Sequence, residues 1–248
     1  MLKPLPFSGP QTSCKICKGA APLYGVVDFN KNCLEREGVF LPLLGVPVYY
    51  YQCESCGLIF SEAFDDWSPA DFRAHIYNDA YITVDPEYVE VRPQKLADMV
   101  FNFIKRGANL KPLDYGGGEG RTAALLRERG IAATSWDPLA STALPPGDTF
   151  DVVTCFEVFE HTTRPRATAE DALRFLAPQG VLLFSTLTAE GLPPRHVDYW
   201  YLAPRNGHVT IYSKAALKTL FAQLGCTVHH FNDNVHMAYR RLPAWLAT

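Results

Sequence analysis

Between residues 93 and 106 apolar side chains return every three or four positions, at Pro93, Leu96, Met99, Val100, Phe103 and Ile104. That spacing predicts an amphipathic helix with one buried face. Downstream the pattern changes. Pro112–Tyr115, 150–156 and 181–187 are short, nearly continuous apolar runs, the mark of strands covered on both faces. Helices are predicted between them over 120–129 and 166–177, the second ending at Pro178-Gln179-Gly180. A further strand ends at Ser135-Trp136-Asp137-Pro138, a helix capped by Ser213 runs to Leu224, and closing strands cover 226–231 and roughly 236–240. Strand and helix alternate, which predicts an α/β domain around a parallel sheet. Two stretches break the rule. Residues 188–212 read as a long loop-like insertion, and 138–149 are too few for a helix plus another full strand.

The first third of the chain reads differently. After turn residues Phe64-Asp65-Asp66-Trp67, Ser68 and Pro69 predict a short capped helix through His75. Residues 18–52 are rich in aromatic and β-branched side chains suited to hairpins. They are bracketed by Cys14-Lys15-Ile16-Cys17 and Cys53-Glu54-Ser55-Cys56, each closely followed by a glycine, Gly19 and Gly57. Two thiolates across a tight turn, presented twice, form the ligand set of tetrahedral Zn²⁺. Cys14, Cys17, Cys53 and Cys56 are thus expected to hold a closed, structural zinc. Seven cysteines, odd in number and partly in C-x-x-C pairs, favour metal over disulfides and a reducing compartment. Cys33, Cys155 and Cys226 fall outside the pattern and read as buried thiols.

The strand at Pro112–Tyr115 runs into Gly116-Gly117-Gly118-Glu119-Gly120 and then directly into a helical pattern. Glycines at 116, 118 and 120 permit positive φ and leave main-chain N–H groups open to a ligand. A dinucleotide fingerprint would place its third glycine at 121, which is Arg121. The formal net charge of -3, with no run of lysine or arginine able to track a phosphate backbone, disfavours nucleic acid as a partner. No apolar run has the length of a membrane span or signal peptide, so a cytoplasmic address is expected.

With Asp114 leading its glycines and Asp137 ending the next strand, the motif resembles the first motif of class I S-adenosylmethionine-dependent methyltransferases. The resemblance covers about 95–248. It implies a Rossmann-like class I methyltransferase sheet there; ahead of it the paired cysteine turns mark a zinc-ribbon module over 1–60, and 61–94 form a connector that in the resemblance serves as a lid. It further implies that Asp114, Tyr115, Gly116, Gly117, Gly118, Asp137, Pro138 and Phe156 line the S-adenosylmethionine site. The glycine loop would back the methionine part, and Asp137 would take the ribose hydroxyls. In the resemblance the aromatic stretch from His75 to Tyr81 lies over the cofactor as a lid; an aromatic contact between ribbon and core is the alternative. The short 138–149 stretch departs from the family's third unit. A similar N-terminal ribbon precedes the methyltransferase domain of deoxysugar C-methyltransferases, whose further C-terminal domain has no counterpart in this sequence.

The run Glu157-Val158-Phe159-Glu160-His161 stands at the carboxyl end of the 150–156 strand, where open α/β sheets bind ligands. Spacing of three and four places Glu157, Glu160 and His161 near one edge of a turn or helix start. Glu-x-x-Glu-His also occurs in ubiquinone-pathway O-methyltransferases and small-RNA 2′-O-methyltransferases. That likeness implies a Mg²⁺-type divalent cation completed by a later histidine, here His208 in Arg205-Asn206-Gly207-His208-Val209. His161 as a lone base or orienting group, or structural roles for these side chains, stay open. Within the insertion, Tyr199, Trp200 and Tyr201 can stack on a sugar or aromatic ring, or form a self-packed plug. With Asn206 they are the expected substrate contacts. The expected function is O-methylation of a hydroxyl on a sugar or other small metabolite. The alternatives are RNA methylation with the ribbon holding the target, C-methylation of a sugar, and a non-catalytic interaction module.

Overall fold

The computed structural model describes residues 2–105, 109–138, 148–192 and 196–246. In chain order the strands are β1 (Gln11–Ser13), β2 (Ala20–Asp28), β3 (Pro47–Gln52), β4 (Ile59–Phe60), β5 (Pro112–Tyr115), β6 (Thr134–Trp136), β7 (Phe150–Cys155), β8 (Leu176–Ser185), β9 (Thr210–Ile211), β10 (Thr227–His230) and β11 (Val235–Tyr239). The α-helices are α1 (Pro69–His75), α2 (Val91–Ile104), α3 (Arg121–Glu128), α4 (Pro165–Arg174) and α5 (Lys214–Ala222). No helix among the described residues is long and apolar enough to cross a membrane. The chain forms two compact units. One comprises Met1–Pro86, Glu160–Arg166 and Leu187–Leu220, the other Glu87–Phe159, Ala167–Thr186 and Phe221–Thr248.

The first unit is built on an antiparallel sheet of order β1-β2-β3-β4-β9. Its core gathers Tyr24, Val27, Val48 and Tyr50 from the β2–β3 hairpin with Phe64, Ile76, Tyr81, Leu202, Val209 and Ile211. Helix α1 starts where the sequence places it: the Ser68 hydroxyl accepts the Asp71 N–H and the Asp71 carboxylate accepts the Ser68 N–H. This reciprocal cap satisfies two otherwise orphaned donors. The end of the 188–212 insertion is not loop. It supplies β9, which pairs with β4 through Ile59↔Ile211 and Phe60↔Thr210. Boundaries at 60 and 94 are therefore not where the compact units divide. Burying Leu202, Val209 and Ile211 at about 1.5–3 kcal/mol each draws the insertion into the sheet that follows the cysteine turns. The 75–81 stretch packs into the same core through Ile76 and Tyr81.

The second unit carries a sheet of order β10-β11-β8-β7-β5-β6. β6, β5, β7 and β8 run parallel, and β11 and β10 add antiparallel to the β8 side. Ala97, Val100 and Ile104 of α2 pack with Ala123, Leu125 and Leu126 of α3 and with Val152, Val181 and Leu183 of the sheet. The strand order reverses at β5, whose neighbours are β6 on one side and β7 on the other, so the carboxyl ends of β5 and β7 flank the crevice where such sheets take ligands. One element deviates from its pattern. α4 stops at Arg174 and β8 begins at Leu176, taking in Pro178-Gln179-Gly180, where the pattern predicts a helix to 177. A register shift between Phe150 and Val152 absorbs the irregular residues. Most of the short 138–149 stretch lies outside the described residues.

Candidate active site

The two cysteine turns converge within the first unit. The Cys14 and Cys56 sulfurs lie 3.6 Å apart, those of Cys17 and Cys53 3.3 Å apart, and all four ligand atoms lie within 4.8 Å of one another. A tetrahedral ion bound at ~2.3 Å would set sulfurs about 3.8 Å apart, whereas a disulfide needs ~2.05 Å. None of the seven cysteines forms a disulfide. Both turns have the same build: the N–H of Lys18 returns to the Cys14 carbonyl, that of Gly57 to the Cys53 carbonyl, and both residues are left-handed at φ 63° and 73°. Main-chain N–H groups of Ile16 and Cys56 point at the sulfurs of Cys14 and Cys53, each at 3.4 Å. The Cys14 thiol is held down at about 5, chiefly by the Cys56 thiol that donates to it, and the same contact pushes Cys56 up. This is a donor set that fits Zn²⁺.

A second convergence in the same unit joins the adjacent Glu160 and His161 to His208, 47 residues further along the chain. Phe159–His161 forms a 3-10 turn, and ligand atoms of Glu160, His161 and His208 lie within 4.8 Å of one another. Glu160 is fully buried; its carboxylate accepts the Tyr201 hydroxyl at 2.6 Å and its carbonyl accepts the Val209 N–H at 2.9 Å. His161 Nδ1 is 3.1 Å from the Gly207 carbonyl, and His208 Nδ1 is 2.9 Å from the Tyr201 carbonyl. A carbonyl only accepts, so these contacts place both ring protons on Nδ1 and make each Nε2 the unprotonated nitrogen. The His161 and His208 rings stand 5.1 Å apart. Gly207 makes the approach possible: at φ 85°, a Cβ there would sit 2.8 Å from the Tyr77 hydroxyl and 3.0 Å from His161 Nδ1. Two imidazoles with one carboxylate form a set that holds a divalent cation or handles a proton.

Glu157, expected in the same cluster, belongs to the second unit and is not among the grouped ligands. Its backbone sits at φ 53°, which breaks the helical spacing that would have aligned it with Glu160 and His161. Its N–H donates to the Ser185 hydroxyl, which in turn donates to the Glu157 carboxylate at 2.9 Å.

The expected substrate residues take other positions. Tyr201 is buried, with its hydroxyl on Glu160, its carbonyl on His208 and its ring 4.2 Å from the His208 ring. It braces the cluster. Tyr199 and Trp200 pack partly buried against the first unit's core, and the Arg36 guanidinium lies 4.1 Å over the Trp200 ring. Asn206 is also internal, accepting the Cys33 N–H and donating to the Val84 carbonyl. Sequence reasoning missed Tyr50, whose hydroxyl donates to the His208 carbonyl at 2.7 Å, and Cys33, whose sulfur lies 3.7 Å from His208 Nδ1. Neither residue stands in a pattern that could have revealed it.

In the second unit the glycine loop follows β5. The Gly118 N–H donates to the Asp137 carboxylate at 2.9 Å, which fixes the acid expected at the ribose. Asp114 accepts the Thr154 hydroxyl at Oδ1, while its buried Oδ2 and the nearby Ser135 hydroxyl have no hydrogen-bond partner. Orphaned buried oxygens beside a bare backbone fit a ligand that brings donors and positive charge, as the amino and sulfonium groups of S-adenosylmethionine do. Around a Cβ at Gly118 there is open space for 4 Å, yet its φ of 55° resists a branched side chain. Gly118→Val is thus expected to weaken S-adenosylmethionine binding at least tenfold, as is Asp137→Ala; calorimetry giving parental affinity for both would misplace the site.

Burial pushes the Asp114 carboxyl up to about 7, with the Asp137 charge adding to the shift and the Thr154 hydroxyl opposing it. The folded chain therefore favours the neutral acid. This contribution is present below about pH 4 and is lost as pH rises through about 7, by up to ~4 kcal/mol. In cofactor-free protein, Asp114→Asn should match the parent in melting temperature at about pH 4 and exceed it increasingly up to pH 8. A difference unchanged with pH would refute the assignment.

Comparison with known proteins agrees with this architecture. A family model described as "Methyltransferase domain" matches residues 88–231. The chain is 32% identical over 90 residues to a protein named ubiquinone biosynthesis O-methyltransferase from Psychrobacter cryohalolentis, 35% of each chain. It is 34% identical over 89 residues to one of the same name from Ralstonia nicotianae, 35% of this chain and 37% of the relative. It thus spans about a third of the length of these curated relatives. A solved structure of an O-methyltransferase family protein from Burkholderia thailandensis superposes with a TM-score of 0.54 at 16% identity, covering 72% of this chain and 64% of the other. With its glycine loop after β5, its strand order reversing at that loop and a family match over more than half its length, the chain belongs to the methyltransferase-domain family, in its class I form.

Proposed function

We propose that the protein transfers the methyl group of S-adenosylmethionine to a hydroxyl of a small metabolite, a sugar or similar ring compound. A structural Zn²⁺ sits at the four cysteines, and a divalent cation such as Mg²⁺ or Mn²⁺ at Glu160, His161 and His208. The observation that carries this reading is the convergence of one buried carboxylate and two imidazoles whose Nδ1 atoms are already tied to main-chain carbonyls. The O-methyltransferase names of the relatives support oxygen as the acceptor atom, and free thiols suit a reducing, cytoplasmic compartment.

S-adenosylmethionine, when bound, supplies a methyl on a sulfonium. A divalent cation, when bound, lowers the pKa of a hydroxyl it contacts. The chain's own residues orient and hold charge. The Gly118 N–H holds the Asp137 carboxylate, which would take the ribose hydroxyls, and Asp114 would offer a carboxyl that becomes anionic against positive charge. Tyr201 locks the Glu160 carboxylate, and the carbonyls of Gly207 and Tyr201 lock the histidine tautomers.

The test is incubation with methyl-labelled S-adenosylmethionine and a metabolite extract, with the RNA fraction assayed separately. Label is expected on hydroxyls of small molecules. Label in RNA, on carbon, or nowhere would refute the proposal.

A further inference from the structure

We infer that Lys15, inside the first cysteine turn, is a positioning residue that fixes the Glu160–His161 segment relative to the four-cysteine site and so sets the affinity of the Glu160–His161–His208 centre for its cation. This rests on the reading of that centre as a cation site.

Its side chain is only 10% exposed. The ammonium donates to the Ser61 carbonyl at 2.9 Å, to the Asp65 carboxylate, and to the Thr163 carbonyl at 3.1 Å, and lies 5.5 Å over the Phe60 ring. An ammonium has three donors, and all three are used. Thr163 is two residues beyond His161, so the third bond ties the cysteine turn to the segment that carries two of the three ligands. Further ties on this segment come from the His208 side: Val209 N–H to the Glu160 carbonyl, His161 Nδ1 to the Gly207 carbonyl, and the Thr210 hydroxyl to the Thr162 carbonyl. His208 is in turn tied to the second cysteine turn, because β9 pairs with β4, which leaves Cys56 after three residues, and the Ser213 hydroxyl donates to the Cys56 carbonyl. Each turn of the four-cysteine site therefore anchors one arm of the cluster, the first through Lys15 and the second through β4. Burying a charge among carbonyls is costly where an apolar side chain would fill the same volume. What the ammonium adds over leucine or methionine is a defined distance between two segments 148 residues apart.

The experiment uses the zinc-loaded full chain and reads two quantities: zinc content by elemental analysis and Mn²⁺ affinity by electron paramagnetic resonance. The parent, Lys15→Met, Asp65→Asn and His208→Ala are compared. Lys15→Met should keep its zinc and bind Mn²⁺ about tenfold more weakly, the low end of what loss of a direct outer-shell partner costs, because Lys15 reaches the ligands only through the backbone at Thr163. Asp65→Asn, which removes only the counter-charge, should shift the same constant a few-fold in the same direction. Parental Mn²⁺ affinity in Lys15→Met overturns the inference, and if that variant does not fold, parental affinity in Asp65→Asn overturns it instead. A parent that binds no Mn²⁺, or binds it equally with His208→Ala, overturns the cation reading and the inference with it.

Discussion

Cys53→Ser is expected to lower the melting temperature by about 10 °C or more and to release the metal. Two sulfur pairs, at 3.6 and 3.3 Å, lie close to the ~3.8 Å a tetrahedral ion imposes, three of the four cysteines are buried, and β1, β2, β3 and β4 all begin or end within a few residues of the two turns. Structural zinc sites contribute ~10–16 kcal/mol of apparent binding free energy. Even about 4 kcal/mol of that lost costs ~8–16 °C in a domain of this size. The check is thermal unfolding with elemental analysis of the parent and the variant. No zinc in the parent, or an unchanged melting curve in Cys53→Ser, contradicts the assignment.

The second large effect is on turnover. His208→Ala removes one imidazole from the cluster and should lower kcat by roughly 10²–10⁴-fold. The affinity for S-adenosylmethionine should stay within about twofold, because Asp114, Gly118 and Asp137 belong to the other unit. His161→Ala should behave alike. Kinetics with an identified acceptor, paired with calorimetry of the cofactor, separates the two quantities. Unchanged turnover in both variants would show the cluster to be structural, and equal loss of cofactor affinity would show that its effect is on folding.

The second unit was the more legible part of the chain. Its helices and strands follow from apolar spacing, and α2 and α3 lie within two residues of the expected limits because local periodicity and packing agree. The cysteine turns were equally readable, since their meaning lies in spacing along the chain. What spacing could not reveal was pairing across long separations. β9 has only two residues, too few to carry an alternation, and its partner β4 lies about 150 residues earlier. In sequence Tyr201 reads as a substrate contact or part of a self-packed plug until its hydroxyl is seen on Glu160, and Asn206 as a substrate contact until its amide is seen on Cys33 and Val84. Glu157 was misaligned because one left-handed residue resets the phase that a three-and-four spacing assumes. His161 and His208 could be named from sequence, but the Nδ1 contacts that orient them depend on carbonyls of a turn and an insertion that no side-chain pattern encodes.

The most direct test of the central claim is methyl transfer measured before and after a chelator that strips weakly held divalent cations while zinc content, followed in parallel, stays constant. The account predicts that transfer falls to background and returns on addition of Mg²⁺ or Mn²⁺. Full transfer in the presence of chelator would contradict it, and would leave His161 as a base acting without a metal if His161→Ala alone still stopped the reaction.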